Sequence, residues 1–205
     1  MTSASAALLR LEPADAAHHR HPFDWFSWRH VFSAPGVGRA LRAELPAGFD
    51  EVRRDEGEKR YRMARRRLWP DGRAADLSPL WRRLVDEVTG PAYREYLSVT
   101  VGRDFTAHPQ EVVAWRYGPG CHLSPHTDEP TKVFTHILYL NDGWQRAWGG
   151  TLRLLGPGGV RAVEVEPALD RAVGLLRSEV SWHEVAPVTA PAAPDRLSVQ
   201  VVFHA

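Results

Sequence analysis

VVAWRY (residues 112–117), VFTHILYL (133–140), TLRLL (151–155), VRAVEV (160–165), AVGLLR (172–177) and LSVQVVF (197–203) are short runs rich in β-branched and aromatic residues, separated by Gly, Pro and Asp-Gly. Runs of this length between turn residues read as strands, because alternating side chains of this kind fit a pleated, half-buried surface. The C-terminal half, about residues 111–205, is therefore expected to be an all-β sandwich or barrel. Upstream, the periodicity changes. Val37, Leu41 and Leu45 recur every four residues behind Ser33 and Pro35, as on one helix face. Ser78-Pro79 opens a second helix, with Leu80, Leu84, Val85 and Val88 on its apolar side and Gly90 at its end. A third helix is expected from Pro91 to about Val101. The charged stretch Phe49 to Trp69 reads as irregular strands or a mobile loop, and residues 1–22, ending in HHRHP, as a flexible solvated tail. Residues 23–205 then form one α+β domain with helices packed on the outside of a β-core.

Composition narrows the classes. With 205 residues and 43% hydrophobic side chains, the chain suits one domain with a sizeable core. Its 26 Lys plus Arg nearly cancel 25 Asp plus Glu, so no general charge excess points to nucleic acid or an anionic membrane; any charge selectivity must be local. Cys121 is the single cysteine, which excludes an intrachain disulfide framework and a multi-cysteine metal site. The opening MTSASAALLRLEP lacks a basic start and an apolar stretch long enough for a signal or a membrane span. The expected location is cytoplasmic.

The chemistry concentrates in PHTDEP, residues 125–130. In an extended segment His126 and Asp128 point to one side and Thr127 to the other, so the first two can meet one metal ion. A third ligand must come from elsewhere, and His183 in SWHEVAP, 55 residues after Asp128, is the candidate. Two histidines and a carboxylate on one face of an octahedron leave three adjacent positions open, the arrangement of non-haem iron(II) oxygenases: two positions for a 2-oxo acid, one for dioxygen. H-x-D alone is commonplace in a chain with ten histidines. A zinc hydrolase can also use two histidines and a carboxylate. Arg196, 13 residues after His183, adds a guanidinium at the start of an apolar strand. A buried arginine needs an anion, and the remote carboxylate of 2-oxoglutarate fits it bidentately, with Tyr139 donating a hydroxyl hydrogen bond. A zinc hydrolase needs neither residue.

From about Trp115 to Phe203, roughly 90 residues, the order of features resembles the prolyl hydroxylase branch of the 2-oxoglutarate- and iron(II)-dependent oxygenases: Tyr117, GPG, His126 to Asp128, LYLN, Trp144, GGTLR, Asp170, HEVAP and Arg196. The resemblance implies a double-stranded β-helix, or jelly roll, with Fe(II) held by His126, Asp128 and His183. It implies that Tyr117 and Tyr139 flank 2-oxoglutarate and that Thr135, Ile137 and Leu152 line its pocket. The implied reaction uses O2 to hydroxylate an unactivated C–H bond, releasing succinate and CO2; an intact Asp128 argues against halogenation. The chain departs from the pattern in the TAPAAPD stretch, which lengthens the interval from His183 to Arg196, and in ending at Ala205 with no helix after the last strand. The expected substrate is accordingly an amino acid, a peptide or a related small biosynthetic metabolite. Protein prolyl hydroxylation is the alternative, and a non-catalytic binding relative ranks last because every ligand is present.

Neighbouring residues carry plainer expectations. His136 is expected to be structural, and Trp115, Trp144 and Trp148 to serve the barrel's core and rim. Trp182 is a weak substrate-contact candidate beside His183, and Cys121 and His122 are bystanders. The basic run Lys59, Arg60, Arg62, Arg65, Arg66 and Arg67 either closes over an acidic substrate or forms a solvated strand face.

Overall fold

The computed structural model describes residues 6–70, 76–189 and 194–205. Residues 190–193 of the TAPAAPD stretch and 1–5 of the opening therefore lie outside the described residues. Strands β1 (Ala16–His19), β2 (Trp25–Arg29), β3 (Asp50–Arg54), β4 (Tyr61–Trp69), β5 (Gln110–Tyr117), β6 (His122–His126), β7 (Lys132–Tyr139), β8 (Leu152–Leu155), β9 (Arg161–Val165), β10 (Arg171–Leu176), β11 (His183–Val185) and β12 (Arg196–His204) join in one antiparallel sheet, in the order β1-β2-β10-β7-β12-β5-β4-β6-β11-β8-β9 with β3 on β4. The sheet curls because one edge of β4 serves two partners, residues 64–69 pairing with β5 and Tyr61 and Arg62 with β6, while β3 takes the other edge. The result is the jelly-roll core of an α+β fold, with helices α1 (Val37–Ala43), α2 (Pro79–Thr89) and α3 (Pro91–Val101) outside it.

Period-two alternation decides which residues face the helices and which face the interior of the curl. On β7, Phe134, Leu138 and the following Leu140 join the cluster beneath α2 and α3, whereas Ile137 and Tyr139 belong to a second cluster inside. On β12, Leu197, Val199, Val201 and Phe203 face the helices, leaving Arg196, Ser198, Gln200 and Val202 on the other side. The helices answer with Trp81, Leu84 and Val88 of α2 and Tyr93 and Leu97 of α3, all fully or nearly fully buried. Each such side chain contributes about 1.5–3 kcal/mol by leaving water. Ser78 caps α2 by accepting from the Trp81 N–H at 3.3 Å, and Gly90 ends α2 and begins α3.

Three expectations are corrected. The stretch expected as a tail is docked along its described part: Leu8 and Leu9 are buried, their N–H groups donate to the Glu87 carboxylate at 2.7 and 3.0 Å, and β1 pairs with β2. Two adjacent leucines had enough apolar area to hold the segment, despite its polar continuation. The stretch Phe49 to Trp69 is a regular hairpin, with Arg54 opposite Tyr61. Arginines on both faces of β4 hide the strand alternation that Met63 and Leu68 only partly express. Helix α1 stops at Ala43, so Leu45 packs on the cluster from beyond the helix.

His136 on β7 is structural. Its Nδ1 shares a 2.6 Å hydrogen bond with the Tyr93 hydroxyl of α3, and its ring lies 4.4 Å from that of Trp28. Burial pushes its pKa down to about 3. The unfolded chain binds this proton below about pH 6.5 and the folded chain does not, so stability is complete above that pH and falls progressively toward pH 3. In urea unfolding of the metal-free protein, the midpoint is expected to drop between pH 7 and pH 5, with a limiting slope of about 1.4 kcal/mol per pH unit for each such histidine. His136→Phe should lose less over that interval, and an unchanged drop would refute the assignment. Among the described residues no helix is long and apolar enough to cross a membrane.

Candidate metal and cosubstrate site

His126, Asp128 and His183 come together on the inner side of the curl, each buried, with one potential ligand atom from each within 4.8 Å of the others. Strand pairing brings this about. His183 on β11 lies directly opposite His126 on β6, with ring centroids 4.3 Å apart, and Asp128 follows His126 by two residues. Both histidines donate Nδ1–H to the carbonyl two residues earlier in the chain, His126 to Ser124 and His183 to Ser181, each at 2.9 Å. That bond fixes the tautomer and leaves each Nε2 lone pair free for a metal.

Protonation also favours a ligand set. Burial pushes the His126 pKa down to about 2, with His183 and Lys59 adding to it, and burial likewise lowers that of His183. Asp128 would be raised by burial, but the Lys132 ammonium that hydrogen-bonds it outweighs that and holds it well below the usual carboxylate range. The site thus presents two neutral imidazoles and one carboxylate, the forms that bind metal. Lys132 donates to Asp128 Oδ1 at 3.0 Å and Thr135 Oγ1 to Oδ2 at 3.1 Å, which orients the carboxylate. Lys132 went unnoticed in the sequence, although it stands four residues after Asp128.

The triad opens into a cleft of about 400 Å3, also lined by Tyr117, Thr135, Ile137, Leu152 and Arg196. Arg196 begins β12 and is buried, Nε donating to the Gly150 carbonyl at 2.7 Å. Its guanidinium lies 5.1 Å from the Tyr117 ring centroid and 5.3 Å from that of Tyr139. No carboxylate among the described residues pairs with it. The Tyr139 hydroxyl is fully buried and makes no well-formed hydrogen bond, although it lies near enough to the guanidinium to feel its charge. A buried guanidinium without an anion, beside an unsatisfied hydroxyl, fits the remote carboxylate of a 2-oxo diacid.

The GGTLR motif acquires a mechanical meaning here. Gly149 and Gly150 have φ of +70° and +68°, and a Cβ on Gly149 would come within 2.1 Å of the Pro187 carbonyl oxygen, so the chain turns closely enough to present Gly150 O to Arg196.

Trp115 also lines this wall, and Ser198 lies buried behind it with Tyr139. Ser198 lies opposite both Trp115 on β5 and Tyr139 on β7, and the Ser198 hydroxyl, the Trp115 indole N–H and the Tyr139 hydroxyl are all buried without partners. Ser198, two residues after Arg196 on one strand, was legible from alternation but was overlooked. Trp115, expected in core or rim, packs against the inner cluster and also lines the cleft. Trp182 is exposed and does not line it.

The chain matches the family model of the 2OG-Fe(II) oxygenase superfamily over residues 112–204. It is 30% identical, over 122 residues, to a hypoxia-inducible factor prolyl hydroxylase of Caenorhabditis elegans, a match spanning 58% of this chain but only 16% of that protein. A prolyl-4-hydroxylase structure from Pseudomonas putida superposes with a TM-score of 0.59 at 27% identity, covering 88% of this chain and 92% of that one. A prolyl hydroxylase from Trichoplax adhaerens, in complex with a hypoxia inducible factor oxygen degradation domain peptide fragment, shares the fold with a TM-score of 0.63 at 18% identity, covering 88% and 83%. Residues 112–204, somewhat under half of the chain, thus carry the pattern of the 2OG-Fe(II) oxygenase superfamily, whose enzymes use iron(II), 2-oxoglutarate and dioxygen, and the fold around them is shared with solved prolyl hydroxylases.

Proposed function

We propose that this chain hydroxylates an unactivated C–H bond of an amino acid, a peptide or a related small biosynthetic metabolite, with His126, Asp128 and His183 holding iron(II) and Arg196 holding 2-oxoglutarate. The observation that carries this reading is the buried, unpaired Arg196 in the cleft that contains the triad. Bound there, iron(II) supplies the oxidising chemistry, in which one oxygen atom of O2 enters the C–H bond and the other enters succinate as 2-oxoglutarate loses CO2. The chain's own part is positioning. Arg196 and the Tyr139 hydroxyl fix the remote carboxylate, Ser198 offers a further donor beside it, and Tyr117, Ile137 and Leu152 exclude water from its methylene groups. Thr135 and Lys132 hold Asp128 in orientation. A protein prolyl hydroxylase is the second reading, favoured by the activities in the names of the relatives.

Anaerobic addition of iron(II) and 2-oxoglutarate to the apoprotein is expected to produce the weak visible charge-transfer band of the chelate. Succinate release should then be stimulated by some member of a panel of amino acids and proline-containing peptides. Absence of the band would sink the proposal. Stimulation by folded protein substrates alone would replace the first reading with the second.

A further inference from the structure

Near-neutrality of the whole chain conceals a local excess of positive charge in the cleft. Besides Arg196, five cations line it, Arg54, Lys59, Arg65, Arg67 and Lys132, against two carboxylates besides Asp128, Glu111 and Glu129. Two of the five are engaged: Lys132 with Asp128, and Arg67 with Glu111 at 2.8 Å. Arg54 stands exposed at the end of β3. Lys59, two residues before β4, and Arg65, at its middle, form no ion pair among the described residues. The acidic turn between β3 and β4, Asp55, Glu56 and Glu58, lies outside the cleft and lines a neighbouring hollow with Arg54 and Lys59.

The strand pleat turns this charge to use. Tyr61, Met63, Arg65 and Arg67 alternate into the cleft, while Arg62 and Arg66 point away, so the basic run is not one solvated face. Arg65 lies in register with Trp115, whose indole N–H is buried without an acceptor. Arg65 is exposed and has no ion pair among the described residues, so its guanidinium is free to meet the two oxygens of a carboxylate. Lys59 is half-buried, and burial together with the nearby Lys132 lowers its pKa. Asp128 and Glu129 offset this only in part, and an ammonium partly withdrawn from water with no ion pair of its own gains from an added anion.

We infer that the substrate bears a carboxylate, received in the cleft by the unpaired cations Arg65 and Lys59, while Arg196 takes 2-oxoglutarate. The inference rests on the cleft being the oxygenase site. Free amino acids and acidic peptides share this chemistry.

The test uses probes that differ only in charge: L-proline against L-prolinamide, and N-acetyl-Glu-Pro-Glu-amide against N-acetyl-Gln-Pro-Gln-amide. Binding is followed by tryptophan fluorescence and turnover by succinate release, in wild type, Arg65→Gln and Lys59→Gln. In one pair the acid is expected to bind and stimulate at least about tenfold better than the amide, the size of effect a charge-assisted hydrogen bond gives. Each substitution should reduce that preference about tenfold and leave the KM for 2-oxoglutarate unchanged. The pair that responds tells a free amino acid from a peptide. No acid preference in either pair, a preference that survives both substitutions, or an Arg65→Gln effect on 2-oxoglutarate instead, would overturn the inference. The chelate band separates the two levels: band present without acid preference removes only the carboxylate pocket, whereas band absent removes the oxygenase reading, and fluorescence still shows whether the acid binds.

Discussion

His183→Ala is expected to abolish substrate-dependent succinate release, by about a thousandfold or more, in a protein that still folds. The proposed metal site has no spare ligand: His126, Asp128 and His183 are the only metal-capable group found among the described residues. With one imidazole gone, the two remaining groups share a single short segment and no longer enclose the ion from two sides. Bound metal contributes several kcal/mol of charge stabilisation, and each 1.36 kcal/mol is tenfold in rate, which gives the expected size. Folding should survive, because β11 is held by β6 and β8 through backbone bonds that the substitution leaves in place. The structural cost is the Ser181 carbonyl, which loses its donor, about 1–3 kcal/mol. The chelate band should vanish together with turnover. Trp182→Ala, next in sequence but exposed and outside the cleft, is the control that should keep both. Retention of turnover within tenfold in His183→Ala would rule out its proposed role.

Much of this architecture was legible because β-strands write their environment into alternation. VFTHILYL and LSVQVVF each carry an apolar face for the helices and a second face for the cleft, and Arg196 and Tyr139 were readable as inward from that pattern. Ser78-Pro79 and Gly90 marked α2 because caps are local chemistry. The failures share one cause, dependence on partners distant in sequence. The docking of Leu8 and Leu9 requires Glu87, 79 and 78 residues away, and no local signal announces it. The β4 strand reads as irregular because arginines stand on both of its faces, Arg65 and Arg67 toward the cleft and Arg62 and Arg66 away from it. Trp115 reads as an ordinary core tryptophan until its register with Arg65 and Ser198 is known. Asp170 shows the converse: its place in the motif order suggests the site, yet its carboxylate accepts from the Phe32 N–H at 2.9 Å and fastens the end of β2 instead.

Arg196→Met is expected to separate cosubstrate binding from stability with opposite signs. If the buried guanidinium is there to receive a carboxylate, removing it should raise the KM for 2-oxoglutarate by about a hundredfold or more, since truncating one partner of a buried charge pair costs about 2–5 kcal/mol. An arginine that served the core would behave differently, and its loss would lower stability without selectivity for the cosubstrate. In the apoprotein the cation is buried with one hydrogen bond, to Gly150, and two aromatic faces, Tyr117 and Tyr139. A methionine of similar length keeps the packing on both rings and eliminates the unpaired charge. Replacing buried charges by apolar groups of similar volume is commonly neutral or stabilising, so the apoprotein should melt no lower than wild type. In wild type, 2-oxoglutarate with a redox-inert divalent metal should raise Tm in proportion to ligand excess over Kd, whereas in Arg196→Met the same concentration should produce almost no shift. A variant that melts several degrees lower as apoprotein yet keeps the wild-type KM for 2-oxoglutarate would identify Arg196 as a packing residue, and the cosubstrate reading of the cleft would fall with it.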